Sequence, residues 1–298
     1  MRSLSTGILA LFLATRAYCQ YAGSEACKPC HPAQSLSQSK SGHARALAIA
    51  PPGSPGQWAF GAGDQAITYV SQLDEDWYIE HGLSYYSKTK SMALTPGHKS
   101  PGGVRYRIFD PAADILRCFQ CHSTGTLTMG AGHKIQPAEL GVRCETCHGP
   151  GAAHVKANGA RGTIHNPQRL TASGLNELCG SCHRRPPAVT ENTDWNDPWS
   201  TRHQPVYLSQ SDCFRKSRGA LSCLACHAPH APLSRVAADY DKRCQGCHAA
   251  PKHRAAVAGR ACVTCHMPVV EPQPNLRFAN HWIGVYVAGK PLRAIERP

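Results

Sequence analysis

Fourteen of the 16 cysteines in this 298-residue chain lie in seven copies of one pentad, Cys-x-x-Cys-His. The copies run from Cys27 to His31, Cys118 to His122, Cys144 to His148, Cys179 to His183, Cys223 to His227, Cys244 to His248 and Cys262 to His266. Two thiols at this spacing can add to the two vinyl groups of a haem, and the next residue then offers its imidazole to the iron. A disulfide framework needs no histidine after each pair, and a zinc site does not need one in every copy. The pattern therefore predicts seven covalently attached haems c. Their thioether positions are Cys27, Cys30, Cys118, Cys121, Cys144, Cys147, Cys179, Cys182, Cys223, Cys226, Cys244, Cys247, Cys262 and Cys265. Their proximal iron ligands are His31, His122, His148, His183, His227, His248 and His266.

Seven haems leave about 40 residues of chain for each, far fewer than a one-haem globule uses. Haem faces must then supply much of the core, which suits a chain with 42% hydrophobic residues, 26 Gly and 23 Pro. The expected fold is mainly α with long ordered loops, wrapped around a stack of seven c-type haems. Short helices are predicted over Pro111 to Cys118, Gly174 to Cys182 and Val236 to Cys247, and helical composition extends from Ala33 to Ala50 despite Gly42. From first cysteine to first cysteine the pentads are 91, 26, 35, 44, 21 and 18 residues apart. The long first gap holds aromatic and β-branched runs broken by Gly, Pro and Asp, such as Gln57 to Gly63, Ala66 to Val70 and Val104 to Phe109. It predicts a small antiparallel β subdomain between the first and second motifs, about residues 55–110, acting as a cover over the first haems or as a docking face. Residues 192–205 suggest a surface excursion, and the proline-rich tail after the last pentad suggests a surface wrap. Unequal spacings argue against a solenoid, so residues 20–298 are read as one heptahaem domain.

Residues 1–19 combine Arg2 with the apolar run Gly7 to Ala14, too short to span a bilayer, and are read as a secretory signal peptide cleaved near Cys19 or Gln20. No later segment is long and apolar enough to cross a membrane, so the mature chain is expected in the periplasm or outside the cell. A formal charge of +13 would ordinarily suggest nucleic acid, but the 14 propionates of seven haems bring it to about −1. Lys and Arg are expected on propionates, and nucleic acid is set aside as a partner.

Ten of the 17 histidines fall outside the pentads: His43, His81, His98, His133, His154, His165, His203, His230, His253 and His281. So large a surplus implies bis-histidine closure of most irons. Met267 is too close to His266 to reach the opposite face of that haem, so methionine ligation is not the rule. His154 follows His148 by six residues and His230 follows His227 by three, too few to travel round their own porphyrins. If these two bind iron, they bind it in a neighbouring haem.

Several segments carry a family likeness. Ser41-Gly-His-Ala-Arg-Ala, Thr95-Pro-Gly-His98, the run from Gly141 to His154, Cys223 to His230, and the closing Cys-His-Met-Pro resemble multihaem cytochromes of the cytochrome c-552/4 family. The resemblance spans most of the mature chain and implies electron transfer outside the cytoplasm. It matches His43 and His154 to histidines that commonly serve as distal ligands. It also puts His98, His203, His230 and His281 in family-like contexts, so all six join the metal-ligand set. His133, His165 and His253 compete for a seventh place, and His81 is set aside. Cys213 is read as a buried thiol.

The leading expectation is an exported relay passing electrons between redox partner proteins, with a membrane quinol oxidase module or other cytochromes as candidates. The alternative is a reductase of a small nitrogen or sulfur oxyanion at one five-coordinate haem. No Cys-x-x-Cys-Lys pentad of the nitrite-reductase kind occurs. A third possibility is a subunit of a conductive filament.

Overall fold

The computed structural model describes residues 20–112, 114–186, 193–249, 253, 257 and 259–295. The expected signal peptide lies outside the described residues.

The fold is mixed rather than mainly α. Seven strands, β1 (Leu47–Ile49), β2 (Trp58–Phe60), β3 (Ala66–Gln72), β4 (Trp77–Glu80), β5 (Leu83–Tyr86), β6 (Ser91–Leu94) and β7 (Val104–Arg107), form one antiparallel sheet. Its order is β1-β2-β3-β4-β7, and β5 leaves this path to pair with β3 and β6. β3 is shared along its length: Ala66 and Ile67 face Tyr86 and Tyr85 of β5, whereas Val70 to Gln72 face Glu80 to Tyr78 of β4. The sheet starts at Leu47, earlier than the predicted boundary, so the helix expected over Ala33 to Ala50 ends at Gln38. Leu47 is 2% exposed in β1, and burying it against the sheet outweighs the helical composition of the run.

Two further hairpins go beyond the sequence expectation. β8 (Ser123–Met129) pairs with β9 (Ile135–Leu140), and β10 (Val269–Gln273) pairs with β11 (Leu276–Ala279). The second turns the expected surface wrap into structure that ends on Asn280 and Trp282, both buried.

One apolar core joins the sheet to the helix and hairpin after it. Leu47, Trp58, Phe60, Val70, Tyr78 and Ile108 pack with Ile115, Phe119 and Ile135. The helix Ile115–His122 begins at Asp114, whose carboxylate accepts from the Leu116 N–H at 2.9 Å. Ile115 and Phe119, one helical turn apart, turn onto the sheet, with Phe119 edge-on to Trp58 and Phe60 at 5.3 and 5.0 Å. The Tyr78 hydroxyl donates to the His133 carbonyl and accepts from the Ile135 N–H, both at 2.9 Å, tying β4 to β9.

Gly141 explains how the third pentad meets the segment after the first. At φ +78° it lies so close to the Ala44 carbonyl that a Cβ would sit 2.1 Å from that oxygen. The close approach lets the Val142 N–H donate to the His43 carbonyl at 2.8 Å. A second, smaller cluster of Tyr207, Trp282 and Ala294 recruits Trp195 from the expected surface excursion.

Candidate functional site

Each pentad is held at the end of a short helical segment, among them Ile115–His122, Cys144–His148, Ala172–His183 and Val263–His266. None of the described cysteines is in a disulfide, and no three Cys, His, Asp or Glu side chains among the described residues gather as a cage for a bare metal ion. The thiols remain available for attachment.

Opposite the pentad histidines stand other histidines. His31 faces His154 with ring centroids 6.5 Å apart and planes 15° from parallel. His148 faces His230 at 6.0 Å and 10°. His183 faces His43 at 6.0 Å, His227 faces His281 at 6.3 Å, and His266 faces His253 at 6.0 Å. An iron bound by two imidazoles, each through a bond of about 2 Å, requires ring centres roughly 6 Å apart. His154 and His230, which follow the third and fifth pentads, face the histidines of the first and third, so neither closes the haem of the pentad it follows.

Hydrogen bonds set which nitrogen each ring offers. His122, His148 and His266 donate Nδ1–H to the carbonyls of Ala46, His165 and Gly284 at 2.9, 3.1 and 2.7 Å, and His281 donates to Ala279 at 2.9 Å. A carbonyl can only accept, so Nδ1 carries the proton and Nε2 keeps its lone pair. His154 reaches the same tautomer by another route. The Thr163 hydroxyl spends its proton on the Ala160 carbonyl and so accepts from His154 Nδ1 at 2.9 Å. Burial holds His43, His122, His148, His183 and His227 below the usual imidazole range and brings His281 down to about 4. Neutral imidazole is the form that binds iron.

Two of the six histidines favoured by the family likeness stand elsewhere. His203 lies between two guanidiniums, with Arg184 Nη1 3.5 Å from Nδ1 and Arg202 Nε donating to Nε2 at 3.3 Å. Burial and these two arginines push it down to about 4. His98 places Nε2 3.4 Å from Glu80, whose Oε2 also accepts from the Tyr106 hydroxyl at 2.9 Å. His253, one of three competitors in the sequence, takes a place opposite a pentad histidine instead. His165 and His133 do not: the His165 carbonyl serves His148, and His133 is 3.0 Å from Asp76. His81 bonds to Ser71 at 2.8 Å.

The pentads also touch one another through their thiols. Cys27 neighbours Cys144, Cys121 neighbours Cys182, Cys179 neighbours Cys223, and Cys244 neighbours Cys262, each close enough to perturb the other's ionisation. Cys147 senses the charges of Cys179 and Cys182, and Cys244 senses Cys226. Burial and the neighbouring Cys144 push the Cys27 thiol up to about 11. Cys213, expected to be buried, is only half-buried and sits near Cys226 and Cys247.

Repeated haem-attachment pentads, free thiols and imidazoles facing one another across an iron's width together define a multihaem c-type cytochrome, a class built for electron transfer. Residues 84–149 match the family model described as cytochrome c554 and c-prime, a span that holds the second and third pentads. The multiheme cytochrome MtrA of Shewanella baltica is 27% identical over 163 residues, which is 51% of this chain and 45% of that protein. The chain thus spans less than half the length of this relative. Among solved structures, the outer cell wall cytochrome OcwA shares the fold with a TM-score of 0.54 at 18% identity, covering 88% of this chain and 79% of the other. An undecaheme cytochrome from the S-layer of Carboxydothermus ferrireducens covers 91% of this chain and 53% of its own at 15% identity and a TM-score of 0.48. Among the described residues no helix is long and apolar enough to cross a membrane.

Proposed function

We propose that this chain carries seven haems c, numbered here by pentad, and relays electrons between redox proteins outside the cytoplasm. The observation that carries the reading is the set of five imidazole pairs at 6.0–6.5 Å, which would close the first, third, fourth, fifth and seventh irons on both faces. A six-coordinate iron has no position for substrate but can pass one electron with little rearrangement. The residues' part is to hold both imidazoles as neutral Nε2 donors, to exclude water by burial, and to bring neighbouring thioether edges together.

The thiol contacts support an order. The first haem would adjoin the third, the third the fourth, the fourth the fifth, the fifth the sixth and the sixth the seventh. The second haem would branch from the fourth through Cys121 and Cys182. Haem content is tested by the mass of the intact protein and by the pyridine haemochrome ratio. Seven per chain supports the reading, and fewer than seven overturns it.

One observation favours a second reading at the branch. Among the described residues no imidazole faces His122 or His248, and the aromatic neighbour of His122 is the edge of Phe60 at 5.3 Å. Glu80, bonded to Tyr106 and beside His98, lies close enough to Cys118 to help push its thiol up. An iron open on that side could bind a small oxyanion, with electrons supplied by the fourth haem. Carbon monoxide added to the reduced holoprotein tests it: binding at the second haem, lost or altered in Glu80→Gln, is expected beside any binding at the sixth, and no spectral change excludes it.

A further inference from the structure

Glu145 is a buried carboxylate that none of the contacts above requires for iron binding or attachment. It occupies the first variable position of the third pentad and is 2% exposed. Three backbone N–H groups donate to it: Ala22 and Gly151 to Oε1 at 2.8 and 2.6 Å, and Gly23 to Oε2 at 2.8 Å. Among the described residues it has no Lys, Arg or His ion-pair partner. Backbone dipoles orient a carboxylate without cancelling its net charge, and low polarity around it leaves that charge weakly screened.

Its position is specific. Ala22 and Gly23 lead directly into the helix Ser24–Cys27, so the carboxylate binds the approach to the first pentad while belonging to the third. The Cys27 and Cys144 thiols meet beside it, and Glu145 is among the charges that push the Cys27 thiol up. Glu139 shares the small cavity at this junction and accepts from the Ser24 hydroxyl at 2.9 Å. A fixed negative charge stabilises a ferric haem, which carries one more positive charge, over the ferrous haem formed when an electron arrives.

We propose that Glu145 is a potential-setting and positioning residue for the first and third haems, holding both at low potential while clamping their attachment sites together. This rests on the reading that haems are attached at Cys27, Cys30, Cys144 and Cys147, which the intact mass tests separately. The two low-potential haems would then form one end of the relay, from which electrons run downhill towards the fourth.

The test is a spectroelectrochemical titration of the holoprotein and its Glu145→Gln variant. Removing the charge is expected to raise two of the seven one-electron components, each by about tenfold in its reduction equilibrium, or 59 mV. The other five should stay in place. Glu145→Asp keeps the charge and should keep both components near their original potentials even if it loosens the backbone cage as much as Gln does. Glu139→Gln leaves the cage intact and should raise the first-haem component alone, by about threefold. Fully loaded Glu145→Gln protein with unchanged potentials would overturn the proposal, as would equal shifts in Gln and Asp. If Glu145→Gln fails to load haem, an unmoved Glu139→Gln titration overturns it instead.

Discussion

Two stretches of this chain are built on opposite plans. Between Leu47 and Ile135 the strands and one helix close a core of tryptophan, tyrosine, phenylalanine and aliphatic side chains. Between Ser209 and Val269, which holds the last three pentads, not one described hydrophobic residue is buried. The first stretch satisfies itself by side-chain packing. The second has thiols, paired imidazoles and half-exposed apolar groups arranged around spaces that haem faces would fill. A chain of one composition thus draws its stability from two sources, and the two should fail under different treatments.

The largest contrast is expected on withholding haem. Protein made without attachment should lose amide-exchange protection and become protease-sensitive across Ser209 to Val269, while β2 to β4 stay protected. Equal protection in both stretches would show that the second has a core of its own. Next in size is Phe119→Ala, which empties the centre of the first core and should cost about 3–5 kcal/mol in chemical denaturation. The His227–His281 and His253–His266 pairings should be unaffected. Tyr78→Phe removes one donor and one acceptor between β4 and β9, and leaves the Ile135 N–H without its partner. A loss of about 1–3 kcal/mol is expected in the same measurement. Smallest is Asp114→Ala, which takes away the cap of the helix Ile115–His122 and should cost about 1 kcal/mol.

The difference between the two stretches also explains what could be read in advance. The pentads were legible because attachment chemistry is local: two thiols and an imidazole within five residues. The aromatic and β-branched runs between Trp58 and Phe109, broken by Gly, Pro and Asp, announced strands for the same reason, since that composition is a local signal. The hairpin β8–β9 carried that signal too, in Thr124 to Met129, where Leu127 and Met129 alternate with threonine. Partner histidines are not local. His43 meets His183 across 140 residues of sequence, and His281 reaches His227 after the unforeseen hairpin β10–β11 turns the chain back. His98 and His203 have sequence surroundings as suggestive as those of His43. A glutamate near one and two arginines beside the other draw their rings elsewhere. His253 sits in an unremarkable run and could be found only from its ring facing His266.

The proposal that histidines following one pentad close the iron of another can be examined at a single residue. His230 stacks on His148 at 6.0 Å and 10°, the most nearly parallel of the five pairs. Electron paramagnetic resonance of the oxidised holoprotein, compared with His230→Ala at unchanged haem content, should gain one high-spin ferric haem per chain and lose one low-spin signal. An unaltered spin count in the variant would contradict the pairing.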